Sequence, residues 1–471
     1  MKQDNKVFKL KGKVQHYAWG GHFFIPALLS IPNREDKPFA EYWLGAHDNA
    51  PSELFLEAAA STSVAEPSTD GAAASTGEAE QAAGPSITNG VLLNQYIREN
   101  PAATLGDYVA GRFGRLPYLL KILDVKDMLS IQVHPSKKNA ELEFALENEK
   151  GVALNAPQRN YKDDNHKPEL MLALSEFWLL HGFKPAGDLK RVLQEVPELH
   201  FLAAVFERQG YQGLYKTVME MDQAEVNRVL QPLLDRIIPA YQEQKLSKGH
   251  EDFWAARAAL TFNEPGRIDR GIFSVYLFNL LNLHPGEAIF QDAGLPHAYL
   301  EGQNVEIMAN SDNVLRGGLT PKHIDVPELL KHVLFEETIP RIIAGDAGAG
   351  DAGAVGASAG GVGSVNAGAA GGGLVDAGAM GGARPVTTFF TPAPDFELAG
   401  IRLAAHDQIT SVNRSVGIFI VLQGRLQVSA SGQSSFERGR GEAFVAFDQA
   451  TLSLQAIEDT VVYRASVPLG S

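Results

Sequence analysis

Residues 129–135 read Leu129-Ser130-Ile131-Gln132-Val133-His134-Pro135, and their pattern decides the kind of fold. Apolar and polar side chains alternate from Ile131 to His134, and Pro135, which has no N–H to offer a ladder, ends the run. The spacing predicts a short strand with Gln132 and His134 on one face, because side chains two residues apart point the same way. Upstream, Leu116 to Leu123 is a short, strongly apolar run. Downstream, Phe177 and Trp178 favour a strand within Glu169 to Trp178. Gly271 to Leu283 also reads as β-structure, followed by the turn Pro285-Gly286-Glu287 and by Ala288-Ile289-Phe290. Phe419 to Val428 reads as a hairpin turning at Gly424. Short strands with regular turn signals on both sides predict a mainly β fold, two jelly-roll β-sandwiches with an α domain inserted in the first.

The insert announces itself by a change of period. Val226, Val229, Leu230, Leu233, Leu234 and Ile237 follow the i, i+3, i+4, i+7 spacing of one buried helical stripe. Asp222, three residues before Glu225, is placed to cap that helix. A second helical stretch runs from Asp252 to Leu260, and nothing between Asp188 and Phe262 resembles a catalytic cluster. Two other segments are set apart by composition. Residues 58–87 hold mostly Ala, Ser, Thr, Gly and Glu, and residues 344–384 are dominated by Gly and Ala. Neither offers enough apolar area to offset a backbone ordering cost of roughly 1–2 kcal/mol per residue, so both are expected to be disordered. The expected division is therefore a catalytic β domain in two pieces, 1–185 and 263–343. A helical domain occupies 186–262, a linker 344–384 and a second β domain 385–471.

The 471 residues carry 41 Lys plus Arg against 56 Asp plus Glu, a formal net charge of −15. That balance argues against coating nucleic acid or adhering to anionic membranes, although a few cations can still build a local anion site. No stretch approaches the ~20 continuous apolar residues of a membrane span, and no secretory leader is evident, so cytoplasm is the expected compartment. Cysteine is absent. Disulfides, thiolate nucleophiles and thiolate zinc sites are thereby excluded, and any transition metal must rest on His, carboxylate or amide ligands.

Three motifs could supply such ligands: Gln132-x-His134, His166-Lys167-Pro168-Glu169, and Gly294-Leu295-Pro296-His297-Ala298-Tyr299, the last placed at the end of a β-hairpin. Two imidazoles, a carboxylate and an amide oxygen make a mixed N/O site that leaves a position open for water or substrate. Each alone has a bland reading, as a hydrogen-bonded strand-end histidine, a loop histidine and a solvated carboxylate. Their conjunction is what carries weight.

The chain resembles the type I phosphomannose isomerases of the cupin superfamily. The matching stretches are His16-Tyr17-Ala18-Trp19-Gly20-Gly21, Glu41-Tyr42-Trp43-Leu44-Gly45-Ala46-His47, Leu129 to Pro135, Asn165 to Glu169, Gly294 to Tyr299, and Val305 to Lys322. They fall in the family's order over about residues 10–335, interrupted by the 58–87 insertion. The resemblance implies interconversion of mannose 6-phosphate and fructose 6-phosphate through an enediolate, with one zinc ion per chain, in the supply of GDP-mannose. Carried over by position, the zinc ligands fall on Gln132, His134, Glu169 and His297, the active-site arginine on Arg316, and a pocket lysine on Lys167. Lys167 and Glu306 are the candidate proton carriers. Lys322 with Arg316 is the expected phosphate contact, and Lys121 could hold a phosphate or a sugar hydroxyl. Trp19 and Tyr299 could wall the pocket, whereas Trp43 reads as core. Of the nearby histidines His47, His166 and His181, His166 could assist ring opening. The region 386–471 holds a single histidine, His406, so no complete metal site is expected there. The expected partner is a small sugar phosphate, with no nucleic acid and no membrane, and the expected state a monomer. The rival readings are a different metal-dependent cupin enzyme, such as an iron dioxygenase, and a non-catalytic sugar-phosphate-binding cupin.

Overall fold

The structure is a computed structural model that describes residues 5–55, 90–344 and 385–469. The insertion expected at 58–87, and the tract at 344–384 apart from Ala344, lie outside these residues. Among the described residues the strands form three sheets of 11, 8 and 4 strands. The strands that build the site all belong to the largest sheet. They are β1 (Glu41–Gly45), β2 (Tyr118–Val125), β3 (Ile131–Val133), β4 (Glu169–Ala173) and β5 (Phe177–Phe183). Then come β6 (Phe278–Leu283), β7 (Glu287–Gln291), β8 (His297–Ala309) and β9 (Leu315–Gly318). Between β5 and β6 the chain runs through the helices α1 (Ala186–Glu195), α2 (His200–Glu220), α3 (Gln223–Gln242), α4 (Glu251–Phe262) and α5 (Gly271–Leu277).

Strand alternation sorts side chains between the layers. On β2, Tyr118, Leu120 and Ile122 enter a core shared with Ile418, Ile420 and Val445 of the eight-stranded sheet. On β4 and β8, Leu170, Leu172, Val305 and Ile307 do the same. The intervening residues Lys121, Glu169 and Glu306 are thereby turned to the opposite face. On β3, Ile131 and Val133 pack instead with Leu315 of β9 and the apolar stripe of α3, from Val226 to Ile237. Gln132 again faces away from that core. The helical insert thus backs one part of the site and the eight-stranded sheet backs the other. The expected cap is present: Glu225 donates its backbone N–H to the Asp222 carboxylate at 2.8 Å.

The eight-stranded sheet is apolar on both sides, which explains the unbroken run at Phe419. Ile418 and Ile420 face the core beneath β2, while Phe419 and Val421 face a second core shared with Leu426, Leu452 and Leu454 of the four-stranded sheet. This sheet also takes strands from both ends of the chain, since Val7–Lys11 pairs antiparallel with Ala443–Ala446.

Three local expectations are corrected. Gly271 to Leu283 is not β throughout, because α5 precedes β6. Every residue from Gly271 to Leu277 is buried, so no polar alternation marks the period, and short apolar runs of this kind do not distinguish helix from strand. Gly424 does not turn a hairpin. Gly417–Gln423 belongs to the eight-stranded sheet and Arg425–Ala430 to the four-stranded one, and Gly424, at φ 75°, passes the chain between them. His297 does not close a hairpin either. It opens β8, and β4 lies between β7 and β8, pairing with both.

The fully buried Tyr118 hydroxyl sits 3.1 Å from the Val416 carbonyl oxygen and 3.0 Å from that of Ala465, joining the site sheet to the eight-stranded one. Tyr118→Phe removes that donor while preserving the ring, and urea denaturation is expected to show a loss of about 1 kcal/mol.

Candidate functional site

The register of β8 sets the first row of side chains. His297 lies opposite His181 of β5 on one side and opposite Gln132 of β3 on the other, and Gln132 in turn lies opposite Arg316 of β9. Directly opposed residues of an antiparallel pair share a face, so His181, His297, Gln132 and Arg316 form one line across four strands. A second row crosses the other part of the sheet, with Trp43 of β1 opposite Lys121 and Lys121 opposite Glu306. Between the rows lies a small cavity of about 50 Å³ lined by Gln132, Glu169, His297, Lys167, Lys121, Glu306, Glu41, Tyr299, Leu123 and Leu129.

His134, Glu169 and His297 are all buried, and their ligand atoms lie within 4.8 Å of one another. His134 Nε2 stands 3.4 Å from Glu169 Oε1, and His297 Nε2 stands 3.3 Å from Glu169 Oε2. The other ring nitrogen of each histidine faces a backbone carbonyl, Asn313 at 2.8 Å for His134 and Leu295 at 3.0 Å for His297. A carbonyl only accepts, so each Nδ1 carries the proton, and a neutral ring then presents its Nε2 lone pair to the carboxylate. Burial, followed by the charge of Lys167, lowers the His134 pKa to about 4, which keeps that ring neutral. Burial would raise the Glu169 pKa, but Lys167 and the histidines outweigh it and hold the carboxyl well below the usual range. The ligand atoms of the three side chains therefore face one another, and among the described residues His134 Nε2 has no hydrogen-bond partner. Donor atoms bonded to one tetrahedral transition metal at about 2.0–2.1 Å stand about 3.3–3.5 Å apart. The three side chains fit such an ion, and Gln132, on the cavity wall beside His297, is placed to add an amide oxygen.

Around this cluster, cations and carboxylates alternate. The Lys167 ammonium lies 3.1 Å from Glu169 Oε1. Lys121 stands 3.1 Å from Glu306 Oε1, 3.6 Å from Glu41 Oε2 and 5.1 Å above the Trp43 ring. Burial opposes its charge, but Glu41 and Glu306 outweigh burial and raise its pKa. Glu306 also accepts the Tyr299 hydroxyl at 2.8 Å, and burial, only partly offset by Lys121, raises its pKa. Lys121 thus reaches the cavity with its charge shared between two carboxylates, which suits a sugar hydroxyl better than a phosphate.

Arg316 is half-buried and makes no ion pair with any carboxylate among the described residues; Asp312 pairs instead with His47 and Glu306 with Lys121. Burial lowers its pKa. Lys322 is exposed and close enough that burial and then Arg316 lower its pKa too. Neither residue lines the small cavity, and the pair lies outside it, on the β9 side. Trp19 is half-buried, stacks on Tyr17 at 5.9 Å and packs against the cluster containing Tyr299, again outside the lining. Trp43 is buried, as the core reading expected. His47 is bound to Asp312 at 3.2 Å, and His166 to Asp395 of the C-terminal region at 2.8 Å.

Glu41 and Gln291 were not singled out from the sequence. Glu41 sits in a quoted motif, but its partnership with Lys121 arises only from the pairing of β1 with β2. Gln291, fully buried opposite Glu169, approaches the Tyr299 hydroxyl at 3.4 Å and carries no local signal. Glu143, Glu328 and His332 form a further carboxylate–imidazole group. There the Lys331 ammonium and the Tyr161 hydroxyl already occupy the acceptors, so it is a satisfied polar network.

Converging imidazole and carboxylate lone pairs, held beside a charged cavity in a β scaffold, define a mononuclear metalloenzyme of the N/O-ligated class. Residues 7–82 and 57–186 match the family model for the catalytic domain of type I phosphomannose isomerase. The mannose-6-phosphate isomerase of Salmonella typhimurium is 38% identical over 334 residues, covering 70% of this chain and 75% of that protein. The human protein of the same name is 36% identical over 355 residues, covering 70% and 73%. A crystal structure of the Salmonella typhimurium enzyme, bound to fructose 6-phosphate and zinc, matches with a TM-score of 0.75 at 29% identity, covering 99% of this chain and 100% of that one. The chain belongs to the type I phosphomannose isomerase family.

Replacing His297 by Ala removes one of three converging donors. Metal analysis after dialysis is expected to show near-stoichiometric divalent ion in the parent protein and almost none in the variant.

Proposed function

We propose that this chain is a zinc-dependent aldose–ketose isomerase that interconverts mannose 6-phosphate and fructose 6-phosphate. The observation that carries the reading is the meeting of the Nε2 lone pairs of His134 and His297 with Glu169 at tetrahedral spacing, beside a cavity holding two buried lysines. Gln132, His134, Glu169 and His297 would hold the ion. Zinc, when bound, supplies Lewis-acid stabilisation of the oxyanion that develops when a sugar loses the proton next to its carbonyl.

The chain's own residues account for the remaining demands. Glu306 lines the cavity as a carboxylate and is assigned the proton moved between C2 and C1, with the Lys121 ammonium and Tyr299 hydroxyl setting its orientation. The ammonium of Lys167 is assigned to hydrogen-bond the sugar oxygens, where a proton is given and taken as ring and open chain interchange. Arg316 is assigned to the charge of the enediolate and, with Lys322, to the phosphate, since among the described residues no carboxylate occupies its fork of donors. Trp19 would border the entrance. The small lining by Leu123, Leu129 and Tyr299 keeps the reacting carbons from bulk water.

The finer architecture supports the same reading. We assign both β units to cupin-type jelly rolls, with the division 1–185 plus 263–343, 186–262, 344–384 and 385–471, and the C-terminal unit without a metal site. The proposed form is a monomer acting in the cytoplasm, tested by sedimentation and by fractionation. Among the described residues no helix is long and apolar enough to cross a membrane.

A coupled assay for fructose 6-phosphate tests the activity. Turnover of mannose 6-phosphate is expected to vanish on chelation and to return with added zinc. Arg316→Ala is expected to keep its zinc and lose turnover by about 10²–10³-fold, the size typical of a lost oxyanion donor. Undiminished kcat in that variant would remove Arg316 from the chemistry.

A further inference from the structure

We infer that Asp269, a residue of the segment joining the helical insert to the site, is a positioning residue for phosphate recognition. Its carboxylate holds the turn that carries Lys322 into place beside Arg316. The inference rests on the assignment of Arg316 and Lys322 to the phosphate.

Asp269 is buried, 8% exposed, and lies between α4 and α5. Its Oδ1 accepts the backbone N–H of Leu319 at 2.8 Å and that of Gly271 at 2.7 Å, and its Oδ2 accepts the N–H of Thr320 at 3.1 Å. Two consecutive amides of the segment after β9 are thus gripped by one carboxylate. The next link is on the same segment, where the Thr320 hydroxyl accepts the backbone N–H of Lys322 at 3.2 Å. Asp269 is itself fixed, since its own N–H donates to the Asn263 side chain at 2.9 Å.

The turn needs such a grip. Leu319 has φ 53°, the left-handed region that a side chain with a Cβ disfavours, and it is nonetheless buried at 1% exposure. Gly318, at φ 129°, packs so tightly on α5 that a Cβ there would lie 2.4 Å from the Gly271 Cα. The backbone therefore reverses sharply between Arg316 and Lys322, and Asp269 supplies the hydrogen bonds that hold the reversal.

The two cations depend on this reversal unequally. Arg316 is held within β9 by its pairing with β3. Lys322 has no strand to hold it and inherits its place from the turn. Loosening the turn should therefore weaken substrate capture and leave the chemical step in place. That separates Asp269 from a residue whose loss merely disorders the site.

The test is a steady-state comparison of zinc-loaded full-length proteins. Asp269→Ala is expected to raise KM for mannose 6-phosphate about tenfold, with kcat within threefold of the parent and zinc content unchanged. Competitive inhibition by inorganic phosphate should weaken by the same factor. Asp269→Asn, which keeps one acceptor oxygen and loses the other, is expected to give an intermediate shift and serves if the alanine variant does not fold. In a double-mutant cycle, adding Asp269→Asn to Lys322→Ala should raise KM no further. A folded, zinc-loaded Asp269→Asn protein with parental KM, or one that loses kcat alone, overturns the inference. So does a full additional effect on the Lys322→Ala background. Lys322→Ala with parental KM would overturn the phosphate assignment and this inference with it, whereas a raised KM there with none in the Asp269 variants would overturn the inference alone.

Discussion

The register of one strand governs the site. His297–Ala309 is 13 residues long and pairs in turn with four other strands. Its side chains alternate on either side of an irregularity between Tyr299 and Glu301, and that interruption lets His297 meet Gln132 and Glu306 meet Lys121 on the same side of the sheet. A shift by one residue would turn both rows into the apolar cores behind them. Those cores resist it, since Val305 and Ile307 on one side and Ala298 and Leu300 on the other are already buried there. The hydrophobic layers thus do two things at once. They hold the sheet together, and they hold the polar rows in a place where no purely polar interaction would assemble them.

What that assembly costs is visible in the electrostatics. Buried carboxylates and ammonium groups are tolerated only where partners share their charge. Lys121 lies between Glu41 and Glu306, and Lys167 lies against Glu169. The exception is the meeting point of His134, His297 and Glu169, where acceptors confront one another. The overall charge of −15 says nothing about this local order. That figure sums the whole chain, whereas the cavity lining sets the ammonium groups of Lys121 and Lys167 against the carboxylates of Glu41, Glu169 and Glu306.

How much of this was legible in the sequence follows from the range of the signals. The Gln132-x-His134 alternation, the α3 stripe and the Asp222 cap are local patterns, and each appears where its period placed it. Gly271–Leu277 failed because a wholly buried run has no polar side to betray its period. Gly424 failed because a glycine turn reads alike whether the next strand folds back or crosses to another sheet. Lys121 lines the cavity, but the two carboxylates that share its charge come from other strands and leave no local mark. Glu41, Gln291 and Asp269 matter through partners 80, 122 and 50 residues away, Lys121 and Glu169 and Leu319 respectively, and no window on the chain spans such distances.

The pairing of Val7–Lys11 with Ala443–Ala446 has a consequence for synthesis. A chain emerging from the ribosome presents its first strand long before the partner that borders it exists, since domains ordinarily fold as they appear. Leu10 pairs with Leu54 early, but its other edge stays open until residue 443 is made. Until then the nascent protein carries an unpaired strand edge, the kind of surface on which chains adhere to one another. Its yield in a cell should depend on what shields that edge until Ala443–Ala446 is made.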